Sequence, residues 1–480
     1  MSVHSTDQPV SSESPSEAGS SRFTIEQRGI DHVPASERHG SVRSVALMWS
    51  GAMMNVTGIV FGALLVLLGL NLWQAVAAVL IGNATWIITG LCSLPGPAAG
   101  TTTFAASRAP FGRNGNRPIA FCNWIMQIGY ESLDLVLMFL ATSVLLGQAG
   151  IDLGTPLEVV VILGLAVTQS ILPIFGLSVI MKAIRILLIP FTVLFAVLVV
   201  LVFDSVDVQT GTASGGTALF FAGVAVAASG SGLGWTPNAA DYARYLPEST
   251  SRVRLVVGTA IGGALPQTLL MLLGAAVATA VPDAVDPISG LPSALPSWFL
   301  TPYLLVVLLQ LTALNAINLY SSGMTLQAMG IRISRWQAVV VDAVVCAIVA
   351  IVVTFSGDFN TLLGNFLLFM IVWFAPWAAI MVVDYFLRSG RYDIASLSDD
   401  GGRYRRVLGF NPAGVTAQVA GMIAALLCIN TTVFTGPISK AFDGADLSVP
   451  AGLVVGALTY WALARTSTRN ESTVTERLSA

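Results

Sequence analysis

Acidic and amide side chains recur at helical spacing within one long apolar stretch of the chain. The stretch carries Asn123, Gln127, Tyr130, Glu131 and Asp134, which a helix places on one face. Because an acid at the bilayer centre costs about 2.5 to 3.5 kcal/mol, two acids on one stripe require a polar cavity, a partner or a bound proton. A carboxyl group there binds and releases protons, as a proton-coupled carrier needs. A structural hydrogen bond to a neighbouring helix is the alternative for each acid.

A second polar stripe lies in "QLTALNAINLYSSG", further along the chain. Its members are Thr312, Asn315, Asn318 and Ser322. Carboxamides both donate and accept hydrogen bonds, so they and Gln127 match the mixed edge of a nucleobase without carrying a charge. Tyr130 and Trp235 offer rings on which a flat base stacks, for about 1 to 3 kcal/mol per base. Hydrogen bonds between helices are the alternative for the asparagines.

Membrane-spanning helices must position these side chains. Hydrophobic residues make up 55% of the chain and charged residues 10%, against roughly 25% charged in soluble domains. The apolar runs reach the length of about 20 residues that crosses a bilayer, and they do not alternate as barrel strands do. The sequence predicts an all-α polytopic membrane protein of about twelve spans. The predicted spans are residues 44–70, 72–98, 118–148, 155–175, 177–203, 217–243, 253–281, 301–328, 334–355, 359–387, 413–433 and 448–465.

Basic residues set the predicted orientation, since Lys and Arg near span ends gather on the cytoplasmic side. With this map, every Lys and Arg except Lys440 lies on the side of the N-terminus. We therefore expect an even number of spans, with both termini cytoplasmic, in a protein of the plasma membrane. At the cytoplasmic end of span six, Asp241 and Arg244 predict an ion pair or a gate contact, with helix-end snorkelling of the arginine as the alternative. Asp342 and Asp384 are interpreted as structural or interfacial.

Two spans contain residues that weaken a helix. The first contains "MMNVTG", with Asn55 and Thr57, and the sixth contains "AASGSGLGW", which ends at Trp235. Each glycine costs a helix about 1 kcal/mol, and unwound backbone at membrane depth is tolerated where it lines a cavity or packs in protein. Spans one and six correspond if the first ten spans are two five-helix units, the second inverted relative to the first. Close helix packing is the alternative explanation of the glycines.

This interpretation divides the chain into six regions. They are a largely disordered cytoplasmic tail (1–43), a first five-helix repeat (44–203), a second inverted repeat (217–387), a cytoplasmic loop (388–412), two additional transmembrane helices (413–465) and a cytoplasmic C-terminal tail (466–480). The first 21 residues, rich in Ser, Glu and Pro, carry the clearest signature of disorder.

The chain lacks the usual signs of an enzyme, a metal protein or a nucleic-acid-binding protein. All three histidines precede the first predicted span, the four cysteines form no CxxC pair, and no GxSxG elbow is present. A formal charge of −3 without a long basic block gives no attraction to nucleic acid. We expect no cofactor and no metal, and we expect a small solute and the lipid bilayer as partners. A non-transporting receptor or a membrane enzyme is a remote alternative.

Several motifs resemble nucleobase–cation symporter family 1, in its purine and cytosine permease branch. "GLGWTPNAADYARYLP" (232–247) is similar to the sixth-span motif of that branch, "SRAPFGRNGNRP" (107–118) to its loop between spans two and three, and "NAINLYSS" (315–322) to its eighth span. The resemblance extends from "RGIDHVPASERHG" before span one to the last spans. It implies a LeuT-type fold of ten core helices plus two, alternating access, and a solute held among spans one, three, six and eight.

The resemblance also implies roles for individual residues. Gln127 and Tyr130 match a glutamine and an aromatic residue that hold and stack the base, although tryptophan is common at the position of Tyr130. Asp134 falls where fungal members have asparagine. The other implied or inferred solute contacts are Asn55 and Thr57 at the break of span one, Glu131, Trp235, and the span-eight residues Asn315 and Asn318.

The expected coupling ion is a proton, carried by Glu131 or Asp134. Sodium-using members have paired hydroxyl residues on span eight where this chain has Ala313 and Leu314. Because sodium prefers oxygen ligands, their absence favours a proton. The expected function is proton-coupled import of cytosine or a purine. Uracil, allantoin, a hydantoin or a thiamine-precursor pyrimidine are the alternative solutes on the same fold, with sodium as the alternative ion.

Overall fold

Helices form nearly all of the secondary structure in this computed structural model. It describes residues 29–203, 215–280, 288, 290, 295–356, 359–398, 402–405 and 407–479. The predicted disordered stretch of residues 1–21 lies outside these ranges. Within them, extended pairing is limited to two isolated bridges, between Val407 and Phe410 and between Asn430 and Thr435.

The α-helices are numbered in chain order. They are α1 (Val42–Met53), α2 (Val56–Leu67), α3 (Leu72–Asn83), α4 (Trp86–Cys92), α5 (Pro95–Ala99), α6 (Thr103–Ala106), α7 (Arg108–Phe111), α8 (Arg113–Gln148), α9 (Thr155–Phe175), α10 (Leu177–Val202), α11 (Thr217–Ser229), α12 (Ala239–Ala243), α13 (Arg252–Ala280), α14 (Ser297–Ala328), α15 (Arg335–Ser356), α16 (Phe359–Leu387), α17 (Ile394–Ser398), α18 (Pro412–Cys428), α19 (Pro437–Ala441) and α20 (Ser448–Ser479).

The long apolar helices match the predicted spans. Among the described residues, nine helices are long and apolar enough to cross a membrane, and the bent pair α1 and α2 makes a tenth. These ten are span one (α1 and α2), two (α3 to α5), three (α8), four (α9), five (α10), six (α11 to α12), seven (α13), eight (α14), nine (α15) and ten (α16). The last two predicted spans fall on α18, which has 17 residues, and on α20, which continues to Ser479. The total of twelve therefore stays a prediction.

Both predicted interruptions of helices are confirmed. Span one bends by 56° between α1 and α2, where Asn55 has extended backbone and caps α2. Span six stops at Ser229, continues as a 3-10 helix over Gly232–Asn238, and resumes as α12. The glycines and serines of "SGSGLG" and the amide of Asn55 are thus the local causes of the breaks, because they favour caps and turns over helix interiors.

Contacts between the spans reveal the two inverted repeats. Spans two and seven, three and eight, and four and nine pack against each other, so each helix contacts its counterpart five spans later. Span one packs on seven as span six packs on two, and span five contacts one as span ten contacts six. Each of these contacts between two spans therefore recurs between the two spans that correspond to them in the other repeat. Because five is odd, the two units have opposite orientations in the membrane.

Glycines allow spans one and seven to approach closely. A Cβ atom added at Gly62 would overlap the carbonyl oxygen of Met271, and one added at Gly274 would overlap the carbonyl oxygen of Ile59. The two helices therefore meet backbone to backbone at reciprocal glycines. Such contacts let van der Waals packing hold membrane helices together, where lipid removes the hydrophobic driving force.

We expect the substitution Gly62→Ala to lower the thermal stability of the purified protein. The added methyl group meets backbone, which cannot rotate away, and overpacking of this kind costs about 1 to 3 kcal/mol. Gly164→Ala in α9 is the matched control, since in the described structure no atom beyond its own stretch of helix lies within 4 Å of the new Cβ. The measurement is thermal unfolding in detergent, followed by fluorescence-detected size exclusion. Equal melting temperatures for the two variants would contradict the close packing of spans one and seven at Gly62.

Candidate functional site

The break in span one is held by two amide side chains. Asn55 Nδ2 donates to the carbonyl oxygen of Ala52 (2.7 Å), and Asn55 Oδ1 accepts from the Gly58 amide (2.9 Å). The amide of Val56 donates to Gln310 Oε1 on span eight (3.0 Å). Asn55 is therefore engaged with its own backbone, and its predicted solute contact stays a prediction. Sequence analysis did not identify Gln310 as a partner of the break. The only hint in the sequence is that Gln310 is an amide residue in an apolar helix.

Asp134 of span three contacts the same break. Thr57 Oγ1 donates to Asp134 Oδ1 (3.2 Å), and Asp134 is only 2% exposed. This bond joins span three to the second half of span one. A carboxylate accepts such a bond through either oxygen, whereas a protonated carboxyl also donates. The protonation state of Asp134 therefore affects the hydrogen bond that joins span three to span one.

Span two supplies hydrogen bonds that hold the broken backbone of span six. The indole Nε1 of Trp86 donates to Ser231 Oγ (2.9 Å), and the amide of Leu233 donates to Thr85 Oγ1 (3.1 Å). Backbone polar groups in a membrane need such partners, since each unsatisfied group costs several kcal/mol. Sequence analysis missed these residues of span two, because polar residues in an apolar run do not reveal which neighbour they face.

Span three contacts span six on both sides of its break. Tyr130 Oη donates to the carbonyl oxygen of Ser229 (2.9 Å), and Gln127 Nε2 donates to Asn238 Oδ1 (2.6 Å). The Tyr130 ring meets Phe366 of span ten edge to face, with 5.2 Å between ring centroids. Gln127 is buried, and within the described chain its Oε1 atom has no hydrogen-bond partner. That oxygen can accept a hydrogen bond from a solute.

Asn315 joins three helices. Its Nδ2 atom donates to the backbone carbonyl oxygen of Glu131 (3.0 Å) and to Gln169 Oε1 on span four (2.7 Å), and Asn318 Nδ2 donates to Asn315 Oδ1 (3.4 Å). Hydrogen bonding between helices, the alternative weighed from the sequence, is what this arrangement displays for Asn315. Its predicted contact with solute stays a prediction that requires an exchange of partners.

Trp235 belongs to an aromatic cluster next to the break of span six. The centroid of Trp49 lies 5.5 Å from that of Trp235, 5.1 Å from that of Trp86 and 5.2 Å from that of Tyr242, all edge to face. Tyr242 also lines a cavity of about 680 Å³ between the start of α1 and the start of α10. The cluster therefore lies between this cavity and the break. Sequence analysis did not identify Trp49, which an apolar helix carries without a local signal.

Asp241 and Arg244 have different partners. Asp241 Oδ1 accepts from the amide of Thr103 (2.7 Å). Arg244 Nη1 donates to the carbonyl oxygen of Gly29 (2.6 Å), and Nη2 donates to Tyr320 Oη (2.9 Å). No direct ion pair joins these two described residues. Arg244 instead links the N-terminal segment, span six and span eight, and its role as a gate contact stays a prediction.

The carboxyl group of Glu131 lies among spans three, eight and nine. Glu131 is fully buried, and within the described ranges neither of its carboxyl oxygens has a hydrogen-bond partner. Its neighbours include Asp342 and Ser322. No group of three or more His, Cys, Asp and Glu residues suited to a metal occurs in the described part of the chain. The two predicted acids of span three therefore differ, because Asp134 meets the break in span one whereas Glu131 lies near Asp342 of span nine.

Two inverted five-helix repeats with paired breaks, and a polar site between the breaks, define a membrane transporter of the LeuT type. The structure is similar to that of Mhp1, a nucleobase-cation-symport-1 family transporter, in a closed conformation with bromovinylhydantoin bound. The TM-score is 0.74 at 19% identity, covering 94% of this chain and 97% of that one. An inward-facing conformation of Mhp1 gives a TM-score of 0.70 and covers 94% and 99% of the two chains. At this identity the likeness concerns the fold.

The family model described as "Permease for cytosine/purines, uracil, thiamine, allantoin" matches residues 32–452. YxlA of Bacillus subtilis (strain 168), named provisionally as a purine-cytosine permease, is 29% identical over 95% of this chain and 99% of its own length. The purine-cytosine permease fcyB of Emericella nidulans is 26% identical over 92% and 88%, and FCY21 of Saccharomyces cerevisiae is 25% identical over 91% and 86%. The chain belongs to this family of permeases, which are transporters and not enzymes. The resemblance seen in the motifs is confirmed.

We expect Asn315→Ala to lower the melting temperature of the protein in the absence of solute. The substitution removes the donor to Gln169 Oε1 and the additional donor to the Glu131 carbonyl, which keeps its bond within α8, and an unsatisfied buried group costs about 1 to 3 kcal/mol. Thr312→Val on the same helix is the control, because among the described residues the Thr312 hydroxyl bonds only the Leu308 carbonyl, one turn away. The measurement is thermal unfolding in detergent. An unchanged melting temperature for Asn315→Ala would contradict the three-helix junction.

Proposed function

We propose that this permease imports cytosine or a purine into the cell across the plasma membrane, coupled to a proton, by alternating access. Family membership supports a ring solute of the nucleobase type, and the printed names of the relatives favour purines and cytosine. The observation that carries the proposal is the meeting of both helix breaks with the polar stripe of span three. There a neutral, flat solute finds amides, a phenol ring and an acid within one small region of the protein.

The polar edge of the base is assigned to neutral side chains. Gln127 Oε1 is an acceptor without a partner among the described residues, and the Nε2 atom of Gln127 already bridges to span six. Asn315, Asn318 and Glu131 are proposed as further contacts to the same edge. Because a hydrogen bond contributes only about 0.5 to 1.5 kcal/mol net, a solute can replace an interhelical bond without a large loss. Tyr130 and Trp235 are proposed to stack on the ring.

Coupling is assigned to the contact between Asp134 and Thr57. When a proton binds Asp134, the carboxyl group changes from an acceptor to a group that also donates. That change acts on the hydrogen bond that joins span three to the second half of span one. A ligand shifts a conformational equilibrium only through such a difference between states. Glu131 is the second candidate for the proton.

Sodium is the alternative coupling ion. Ala313 and Leu314 of span eight are buried and have no side-chain oxygen, so they offer no side-chain ligand to a hard cation. This favours a proton over sodium. The alternative solutes are uracil, allantoin, hydantoins and thiamine-precursor pyrimidines.

The proposed orientation places the N-terminal segment in the cytoplasm. The cavity of about 680 Å³ beside that segment then opens to the cytoplasmic side. The cavity between α1 and α10 is lined by Lys182 and Arg185, in agreement with the rule that basic residues face inward. It is proposed as the exit for the solute, closed by Trp49 and Tyr242. The regions assigned from the sequence, with repeats at 44–203 and 217–387 between cytoplasmic tails, belong to this proposal.

The test is uptake of radiolabelled cytosine by purified protein in proteoliposomes, under an imposed pH gradient or an imposed sodium gradient. Accumulation driven by the pH gradient and inhibited by adenine or hypoxanthine is the expected result. Accumulation that is driven only by the sodium gradient contradicts proton coupling. Uptake inhibited by uracil, allantoin or a hydantoin, but not by purines, moves the assignment to that solute.

We expect Gln127→Ala to raise the KM for cytosine by roughly 3- to 10-fold, which corresponds to the loss of one hydrogen bond. Gln418→Ala on α18 is the matched control. Gln418 is equally buried, donates through Nε2 to the Trp373 carbonyl (2.9 Å), and its Oε1 atom likewise has no partner within the described chain. Initial uptake rates at several cytosine concentrations give both KM values. If both variants behave alike, Gln127 does not contact the solute.

A further inference from the structure

Two buried carboxyl groups lie near each other where spans three and nine pack together. Glu131 and Asp342 are both 0% exposed. Asp342 Oδ1 accepts from the indole Nε1 of Trp124 (2.6 Å), while Asp342 Oδ2, both carboxyl oxygens of Glu131 and the hydroxyl of Ser322 have no hydrogen-bond partner among the described residues. Ser322 lies beside both carboxyl groups. Four polar atoms without partners thus share one small buried region.

The groups that face Glu131 are acidic or neutral. Asp134 lies about one turn along α8, and Asp342 and Cys346 face it from α15. Spans four and eight contribute neutral groups, namely the amides of Gln169 and Asn315 and the hydroxyl of Ser322. Two buried carboxylates without a cation beside them repel each other and lack solvation. The pair is therefore suited to hold a proton between its members.

The acids descend from the break in span one toward the N-terminal side of the protein. Asp134 contacts Thr57 at the break, and Glu131 precedes it on a helix that starts on the N-terminal side. Asp342 lies seven residues, or about 10 Å of helix, from the start of α15 on that side. Its partner Trp124 is likewise seven residues nearer to the start of α8 than Glu131. Asp342 is therefore the acid closest to the proposed cytoplasm.

We propose that Asp342 is a second proton-binding residue and that Glu131, Ser322 and Asp342 form a proton exit to the cytoplasm separate from the exit of the solute. The inference rests on the proton-coupled function proposed above. A proton taken up at Asp134 passes to the Glu131 carboxylate, then to the Asp342 carboxylate, and leaves to cytoplasmic water. Each donor regains its negative charge as the next acceptor loses its own, so one proton moves inward. Each transfer requires a hydrogen bond, made after side-chain rotation or through one water molecule.

The two proposed routes follow different sets of helices, and Tyr242 of the solute route contacts span eight through Ser321 and not through Ser322. The solute exit follows spans one, five and six, past Trp49 and Tyr242, into the cavity of about 680 Å³. The proton exit follows spans three, eight and nine, which pack against one another. The separation has a functional consequence. Loss of Asp342 should stop net proton movement without closing the path of the solute.

The test compares wild-type protein with Asp342→Asn in proteoliposomes. Two rates are measured, namely pH-gradient-driven accumulation of cytosine, and exchange of labelled for unlabelled cytosine without a gradient. We expect D342N to lose accumulation, down to the level reached without a gradient, and to keep exchange at the wild-type rate. We expect Ser322→Ala to slow accumulation and to leave exchange unchanged. D342N that accumulates cytosine like wild type, or that loses exchange together with accumulation, overturns the proposal.

Two further variants separate proton binding from a structural role. Trp124→Phe removes the donor to Asp342 and keeps an aromatic ring, so we expect it to accumulate cytosine normally. Asp342→Glu keeps a carboxyl group, so we expect it to restore accumulation. If Trp124→Phe reproduces the defect of D342N, the aspartate acts only as a partner of the indole. A wild-type protein that does not respond to a pH gradient overturns the proposed coupling as a whole, whereas a responsive wild type with a normal D342N overturns this inference alone.

Discussion

Backbone groups at membrane depth must be hydrogen-bonded, and the rest of this structure depends on how the two breaks meet that requirement. In span one the partners are Asn55, from the break itself, and Gln310, from span eight. In span six they are Thr85, which accepts from the Leu233 amide, and Thr89, which donates to the Gly232 carbonyl oxygen, both from span two. Lipid offers no alternative partners, so each break fixes which helix lies beside it. The paired breaks thereby dictate the packing of the helices around the polar site.

Spans one, two, six and seven form one packed group, and spans three, four, eight and nine form another. The polar bonds that cross between the groups near the breaks include those from Thr57 to Asp134, from Tyr130 to Ser229 and from Gln127 to Asn238. Each is a modest interaction in net terms. A solute or a proton that exchanges one of these bonds therefore changes the balance between conformations by an amount comparable to the bond itself. This is the physical basis for coupling binding to alternating access.

Much of the fold follows from the sequence, because apolar runs, the one-sided distribution of Lys and Arg, and glycine-rich interruptions are local signals. The stripe from Asn123 to Asp134 also follows, since helical spacing alone places those residues on one face. The hydrogen-bond partners of these side chains cannot be predicted from the sequence. That Asn315 bonds the Glu131 carbonyl and Gln169, or that Asp241 bonds the Thr103 amide and not Arg244, depends on which helices meet and at what height. Asp342 was interpreted from the sequence as structural or interfacial, and its bond to Trp124 agrees with a structural role. Its place beside Glu131 suggests the further role in proton exit.

The central claim is that a neutral base and a proton move together through the site between the breaks. The most direct measurement is the electrical current that follows addition of cytosine to reconstituted protein on a solid-supported membrane, in sodium-free buffer at equal pH on both sides. Because the solute is neutral, the account predicts a transient inward positive current for the wild type and none for Asp134→Asn. No current from the wild type without sodium, with a current once sodium is added, would contradict it.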